Sequence, residues 1–164
     1  MPRYHTLGKI PHKRHTVFKK ENGEIHFEQL FGTIGFDGMS SLLYHLHPPT
    51  HVSELKGHID VSTKVAVEYN MQMRAFKGFD IPAHKDVLQS RIPVLTNNDV
   101  TLHLAKPQQS NTKYFYKNVD ADEVIFIHHG EGKLKTQLGN IPFFEGDYLV
   151  IPKGMIYQMQ FKNE

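Results

Sequence analysis

Between residues 119 and 157, apolar runs of four to six residues alternate with polar turns at near-constant spacing. Gly130, Gly139, Gly146 and Gly154 mark the turns. That rhythm predicts short antiparallel strands joined by tight turns. Upstream the pattern is of the same kind but looser. Asn22-Gly23 forms a two-residue hairpin turn signal between residues 16–19 and 24–31, and alternation in the second run places Ile25, Phe27 and Leu30 on a buried side. Gly32, Gly35 and Gly38 predict turns over 32–40; no strand-to-helix passage accompanies them, so they do not form a phosphate loop. Residues 40–47 predict a strand stopped by Pro48-Pro49. Residues 64–69, 87–96, 99–105 and 112–117 predict four more, with Asn97-Asn98 as a hairpin turn. No convincing amphipathic helix of more than three turns and no internal repeat is present. The expected class is all-β.

Composition narrows the partners rather than the fold. A chain of 164 residues with 39% hydrophobic residues, 11 Phe and 7 Tyr carries enough core formers for one folded domain plus an extended arm. The pattern divides it into an N-terminal arm and hairpin region, 1–52, and a β-domain, 53–164. A net charge of +2 implies no polyanionic partner. Residues 1–23 are basic and interrupted by Pro2 and Pro11, but no aromatic stacking platform accompanies the charges; a solvated arm accounts for them better than a nucleic-acid surface. No run approaches the ~20 apolar residues that span a bilayer, and the N-terminus lacks the apolar core of a secretory signal. Absence of cysteine removes disulfides and thiolate chemistry. The expected compartment is the cytoplasm.

Two places carry candidate chemistry. His45-x-His47-x3-His51 offers two imidazoles at i and i+2, which share one face of a strand. Pro48-Pro49 forces a bend before His51, however, and a packed surface turn explains the cluster more simply. The second place is the glycine rhythm itself, which matches the two motifs of the cupin jelly roll, G-x5-H-x-H-x3–4-E-x6-G and G-x5-P-x-G-x2-H-x3-N. In such barrels alternate residues of one strand aim two imidazoles and a carboxylate inward, and a later strand adds a third imidazole, forming an Fe(II)- or Mn-type site. Here Glu123-x6-Gly130 and Gly146-x5-Pro152-x-Gly154 keep the frame. The histidines are missing: Tyr116 and Asn118 (or Lys117 and Val119 in the shorter spacing) stand at the first pair, Tyr157 at the third, and Phe161 replaces the asparagine. A phenol with pKa near ~10 is a poor substitute for imidazole. His128-His129 does not restore the set, because adjacent strand residues point to opposite faces.

A more specific likeness runs through the whole chain. Tyr4-His-Thr-Leu-Gly-Lys-Ile-Pro-His-Lys-Arg-His-Thr16, Glu28-Gln-Leu-Phe-Gly-Thr-Ile-Gly-Phe, Ser40-Ser-Leu-Leu-Tyr-His-Leu-His-Pro-Pro-Thr50 and Lys113-Tyr-Phe-Tyr-Lys-Asn-Val-Asp-Ala-Asp-Glu resemble the N-terminal portion of bacterial homogentisate 1,2-dioxygenases. The resemblance implies an enzyme of tyrosine and phenylalanine catabolism that uses Fe(II) and O2 to open homogentisate to maleylacetoacetate. It implies a trimer-based homo-oligomer, and an iron held by two histidines and a glutamate in the C-terminal half of the protein. The N-terminal domain of that family is a cupin-like barrel without iron. No iron ligand and no catalytic residue therefore carries over to this chain, which is expected to be a scaffold, inactive alone, whose barrel needs strands beyond Glu164. Tyr114 and Tyr116 are candidates for a contact with substrate or with a neighbouring subunit's active site; a tyrosine packed in the barrel is the simpler account.

Two other classes compete with this reading. One is a stand-alone, metal-free cupin that binds a small ligand or a protein partner. The other is a self-sufficient metalloenzyme using His45, His47 and Glu123.

Overall fold

The computed structural model describes residues 17–35, 37–49, 51–65 and 73–162. Within them the chain is all-β, built of small antiparallel sheets in the manner of a cupin-like β-sandwich. Chain contacts divide it into Met1–His58 and Ile59–Glu164. The basic arm over 1–16 lies outside the described residues.

In the first unit β1 (Phe27–Ile34) pairs antiparallel with β2 (Asp37–His45), from Phe27 against His45 to Ile34 against Asp37. The Asn22-Gly23 turn precedes them, closed by Gly23 N–H donating to the Lys20 carbonyl (3.0 Å) and by a bridge between Lys19 and Ile25. Two expectations fail here. Gly32 and Gly38 lie inside strands, and only Gly35 is left to turn the chain, with φ +52°. The alternation over 24–31 does not mark a buried face, since Ile25, Phe27 and Leu30 are all exposed. Residues 51–65 follow without strand or helix. The strand expected over 64–69 is absent at Lys64 and Val65, and the rest of it lies outside the described residues.

The second unit holds the core. Its strands are β3 (Ile92–Thr96), β4 (Thr101–Leu104), β5 (Tyr116–Lys117), β6 (Glu123–Phe126), β7 (Gly132–Thr136), β8 (Gly139–Phe143), β9 (Tyr148–Ile151) and β10 (Ile156–Phe161). The largest sheet has the order β5-β10-β7-β8, and β3 pairs with β4 and β6 with β9. The four glycines of the rhythm all have positive φ, between +82° and +127°, where a Cβ is strained. They turn the chain where the spacing predicted.

Strand alternation then sorts the side chains. In the β6–β9 ladder Glu123 faces Ile151 and Ile125 faces Leu149 on the inner side. Val124 faces Val150 and Phe126 faces Tyr148 on the outer side, where all four are exposed. Tyr157 and Met159 of β10, Leu134 of β7 and Phe143 of β8 complete the buried layer. Gly132 is required by packing: a Cβ there would collide with the Gln160 carbonyl and the Phe143 ring.

Two predicted strands are shortened. Residues 87–90 form a turn, not the front half of a strand, and β3 begins only at Ile92. The buried Asp86 carboxylate accepts the backbone N–H groups of Leu88 and Gln89, both at 3.0 Å, and so curls the chain away from extension. The 112–117 strand is reduced to Tyr116–Lys117. Ahead of it Asn111 N–H donates to the Met159 carbonyl and Ser110 Oγ accepts from Phe161 N–H, loop contacts that replace a ladder.

Candidate functional site

The other three degenerate cupin positions, Tyr116, Asn118 and Tyr157, come together around Glu123. Glu123 opens β6 with its side chain turned inward and 10% exposed. Tyr157 on β10 is 1% exposed, and its cross-strand partner on β5 is Tyr116, so the two rings meet edge to face at 5.5 Å. Tyr157 Oη donates to Glu123 Oε2 at 2.5 Å. Asn118 Nδ2 donates to Glu123 Oε1 at 3.3 Å, while Asn118 Oδ1 accepts from the backbone of Asp120 and Ala121. Its carbonyl accepts from Gly154 N–H at 2.6 Å. Asn118 thus shapes the turn that delivers Glu123 and fastens that turn to the glycine corner of the second motif.

The sequence reading missed the residue at the centre. Arg91 Nη1 donates to Glu123 Oε1 at 2.5 Å, and Nη2 donates to Tyr157 Oη at 2.9 Å. Its guanidinium carbon also lies 5.7 Å from the centre of the Tyr116 ring. Arg91 follows the Asp86 turn directly, and that turn is held from the far side by Tyr114, whose hydroxyl donates to Asp86 Oδ2 at 2.8 Å. The signal for it was present. Asp86-Val-Leu-Gln89 has the form of a capping box, which marks a turn start and not a strand. An arginine placed just after it, at the edge of an apolar run, is then a candidate partner for the inward carboxylate.

The electrostatics follow from this geometry. Burial pushes the Glu123 carboxyl up, but hydrogen bonds from Arg91 and Tyr157 with the Arg91 charge outweigh it and hold the carboxyl below its ordinary value. Burial pushes the Tyr157 phenol far up, and the bond to Glu123 adds to that against the opposing pull of Arg91. Tyr157 is therefore a neutral donor at any working pH. Burial also raises Tyr116, and burial with the Asp86 bond raises Tyr114 to about 12. His103 is lowered by burial and by the Arg91 charge.

This donor set does not fit a divalent iron centre. Both Glu123 oxygens already accept hydrogen bonds, and the groups facing them are a phenol, an amide and a guanidinium, none of which is a good iron ligand at neutral pH. Among the described residues no group of three or more His, Asp or Glu side chains is arranged to hold a metal. His45 and His47 belong to the Met1–His58 unit, where His45 Nε2 is paired with Gln29 Oε1 at 2.9 Å and His47 is exposed. His51 is exposed and outside any strand. His128 and His129 fall beyond the end of β6, and both are exposed. His128 stacks near Phe79 at 4.8 Å, and His129 Nδ1 meets Glu145 at 2.8 Å.

No protein-family model matches the chain. Among curated proteins it is 40% identical over 163 residues to the Saccharolobus solfataricus protein named "Putative dioxygenase SSO1533". That alignment covers 98% of this chain but 41% of the relative, so the chain spans about two fifths of the length of the protein it matches.

Proposed function

We propose that the chain is the N-terminal, metal-free cupin portion of a dioxygenase, acting on homogentisate or a closely related hydroxylated aromatic acid. The observation that carries this reading is the alignment to a dioxygenase-named protein more than twice as long, across nearly the whole chain. The Arg91-bound Glu123 supports the division of labour, because a carboxylate engaged in this way leaves the iron to the remainder of the protein. Iron bound there would supply the oxygen activation. In this reading the described residues of this chain stay out of that chemistry and build the β-domain beside it. The outer face of β6–β9, with Val124, Phe126, Tyr148 and Val150 exposed in two cross-strand pairs, supports its packing against the rest of the same protein.

Tyr114 is committed to Asp86, and Tyr116 packs on Tyr157 and Arg91. In this reading both position Arg91 rather than meet substrate. A Tyr116→Phe protein is expected to turn over homogentisate with unchanged kcat and KM.

The test is the coding sequence beyond Glu164, followed by expression of the whole reading frame with ferrous iron. Oxygen uptake with homogentisate and a ring-opened product are expected. Uptake with a different dihydroxylated aromatic acid would keep the dioxygenase and replace the substrate. A stop codon after Glu164, or no uptake with any such acid, would overturn the proposal in favour of a stand-alone binding module.

A further inference from the structure

We propose that the Arg91 guanidinium serves this barrel as its internal cation, in the place where other barrels of this frame use a metal ion. A metal ion in such a barrel is a positive charge that gathers inward side chains from separate strands. Arg91 does the same gathering. It reaches Glu123 at the start of β6 with one nitrogen and Tyr157 on β10 with another, and its guanidinium carbon lies 5.7 Å from the centre of the Tyr116 ring on β5. Asn118, at another degenerate position, closes on the same carboxylate. All three replaced histidine positions are therefore used, and each carries a group suited to a guanidinium and a carboxylate rather than to a metal. The tyrosines supply a neutral hydroxyl and a π-face, and the asparagine an amide donor.

The fork of a guanidinium suits this role better than an ammonium, because it spans two acceptors on different strands at once. Burial raises the stakes. The Arg91 and Glu123 side chains are 21% and 10% exposed, so neither charge is well solvated without the other. From a neighbouring element, His103 on β4 lies within electrostatic reach of both charges of this pair. The substitution of the metal is thus a set of matched changes, with Arg91 as the element that makes the others useful.

The isosteric pair Arg91→Lys and Arg91→Met, made in the intact protein, separates charge from packing. Arg91→Lys is expected to melt several degrees above Arg91→Met, or to fold where Arg91→Met does not. In Arg91→Ala, low-millimolar guanidinium ion is expected to recover part of the lost melting temperature, whereas sodium at equal ionic strength is not. Equal melting of the Lys and Met variants, or a higher value for Met, would show that this position is a space filled and not a charge supplied, and would overturn the proposal. So would an Arg91→Ala protein that melts like the unchanged one.

Discussion

The β1–β2 hairpin and the β6–β9 ladder carry the same alternating pattern, and only one of them buries a face. In the ladder Glu123, Ile125, Leu149 and Ile151 turn inward onto Tyr157, Met159, Leu134 and Phe143. In the hairpin Phe27, Leu30, Ile34, Met39 and Leu42 all remain exposed within the described residues. Alternation states which residues share a side; it does not state whether another layer covers that side. The second unit supplies its own layer. The glycine-bounded region therefore carries its stability locally, while the apolar side chains of the hairpin stay uncovered within the described residues.

Truncating one apolar side chain in each region separates the two most strongly. Phe143 is 0% exposed, and Phe143→Ala is expected to cost about 3–5 kcal/mol. Ile34→Ala in the hairpin, at a side chain 70% exposed, should stay within about 0.5 kcal/mol. Urea unfolding of both variants checks this, and similar losses would erase the distinction. Next in size is Tyr157→Phe. It removes the hydroxyl that donates to Glu123 and accepts from Arg91 while leaving the ring in place, and an expected loss of about 1–3 kcal/mol follows. The smallest effect is in the pH profile. The folded Glu123 carboxyl lies below its unfolded value of about 4.3, so its contribution is fully present above that pH and is lost as pH falls through the folded value. Unfolding free energy measured from neutral to acid pH should therefore fall less steeply for Glu123→Gln than for the unchanged protein. Parallel acid limbs would remove Glu123 from the stability of the barrel.

Much of the fold could be read before the structure. Gly130, Gly139, Gly146 and Gly154 announced four turns because few other residues tolerate the backbone they adopt. Asn97 likewise announced its hairpin, where its side chain accepts the N–H groups of Asp99 and Val100. The motif frame also located Tyr116, Asn118, Glu123 and Tyr157 as one set. Arg91 was not legible in the same way. It lies 32 residues before Glu123 in the chain, outside both motifs, and in a run whose β-branched and apolar residues resemble a continuous strand. Its position depends on the Asp86 turn, and that turn depends on a tyrosine 28 residues further on. Such non-local polar contacts leave no period in a sequence. The exposed hairpin face failed for the opposite reason: its period was clear, but the layer that would cover it is not a property of the strand.

If Arg91 closes the cupin centre of this chain, Glu123 is not a metal ligand. Metal content decides it most directly, measured on the intact protein and on Glu123→Gln after identical loading with ferrous or cobaltous ion. Equal metal per chain is expected in both, wherever else in the protein metal is bound. One equivalent lost from a folded Glu123→Gln protein would contradict it.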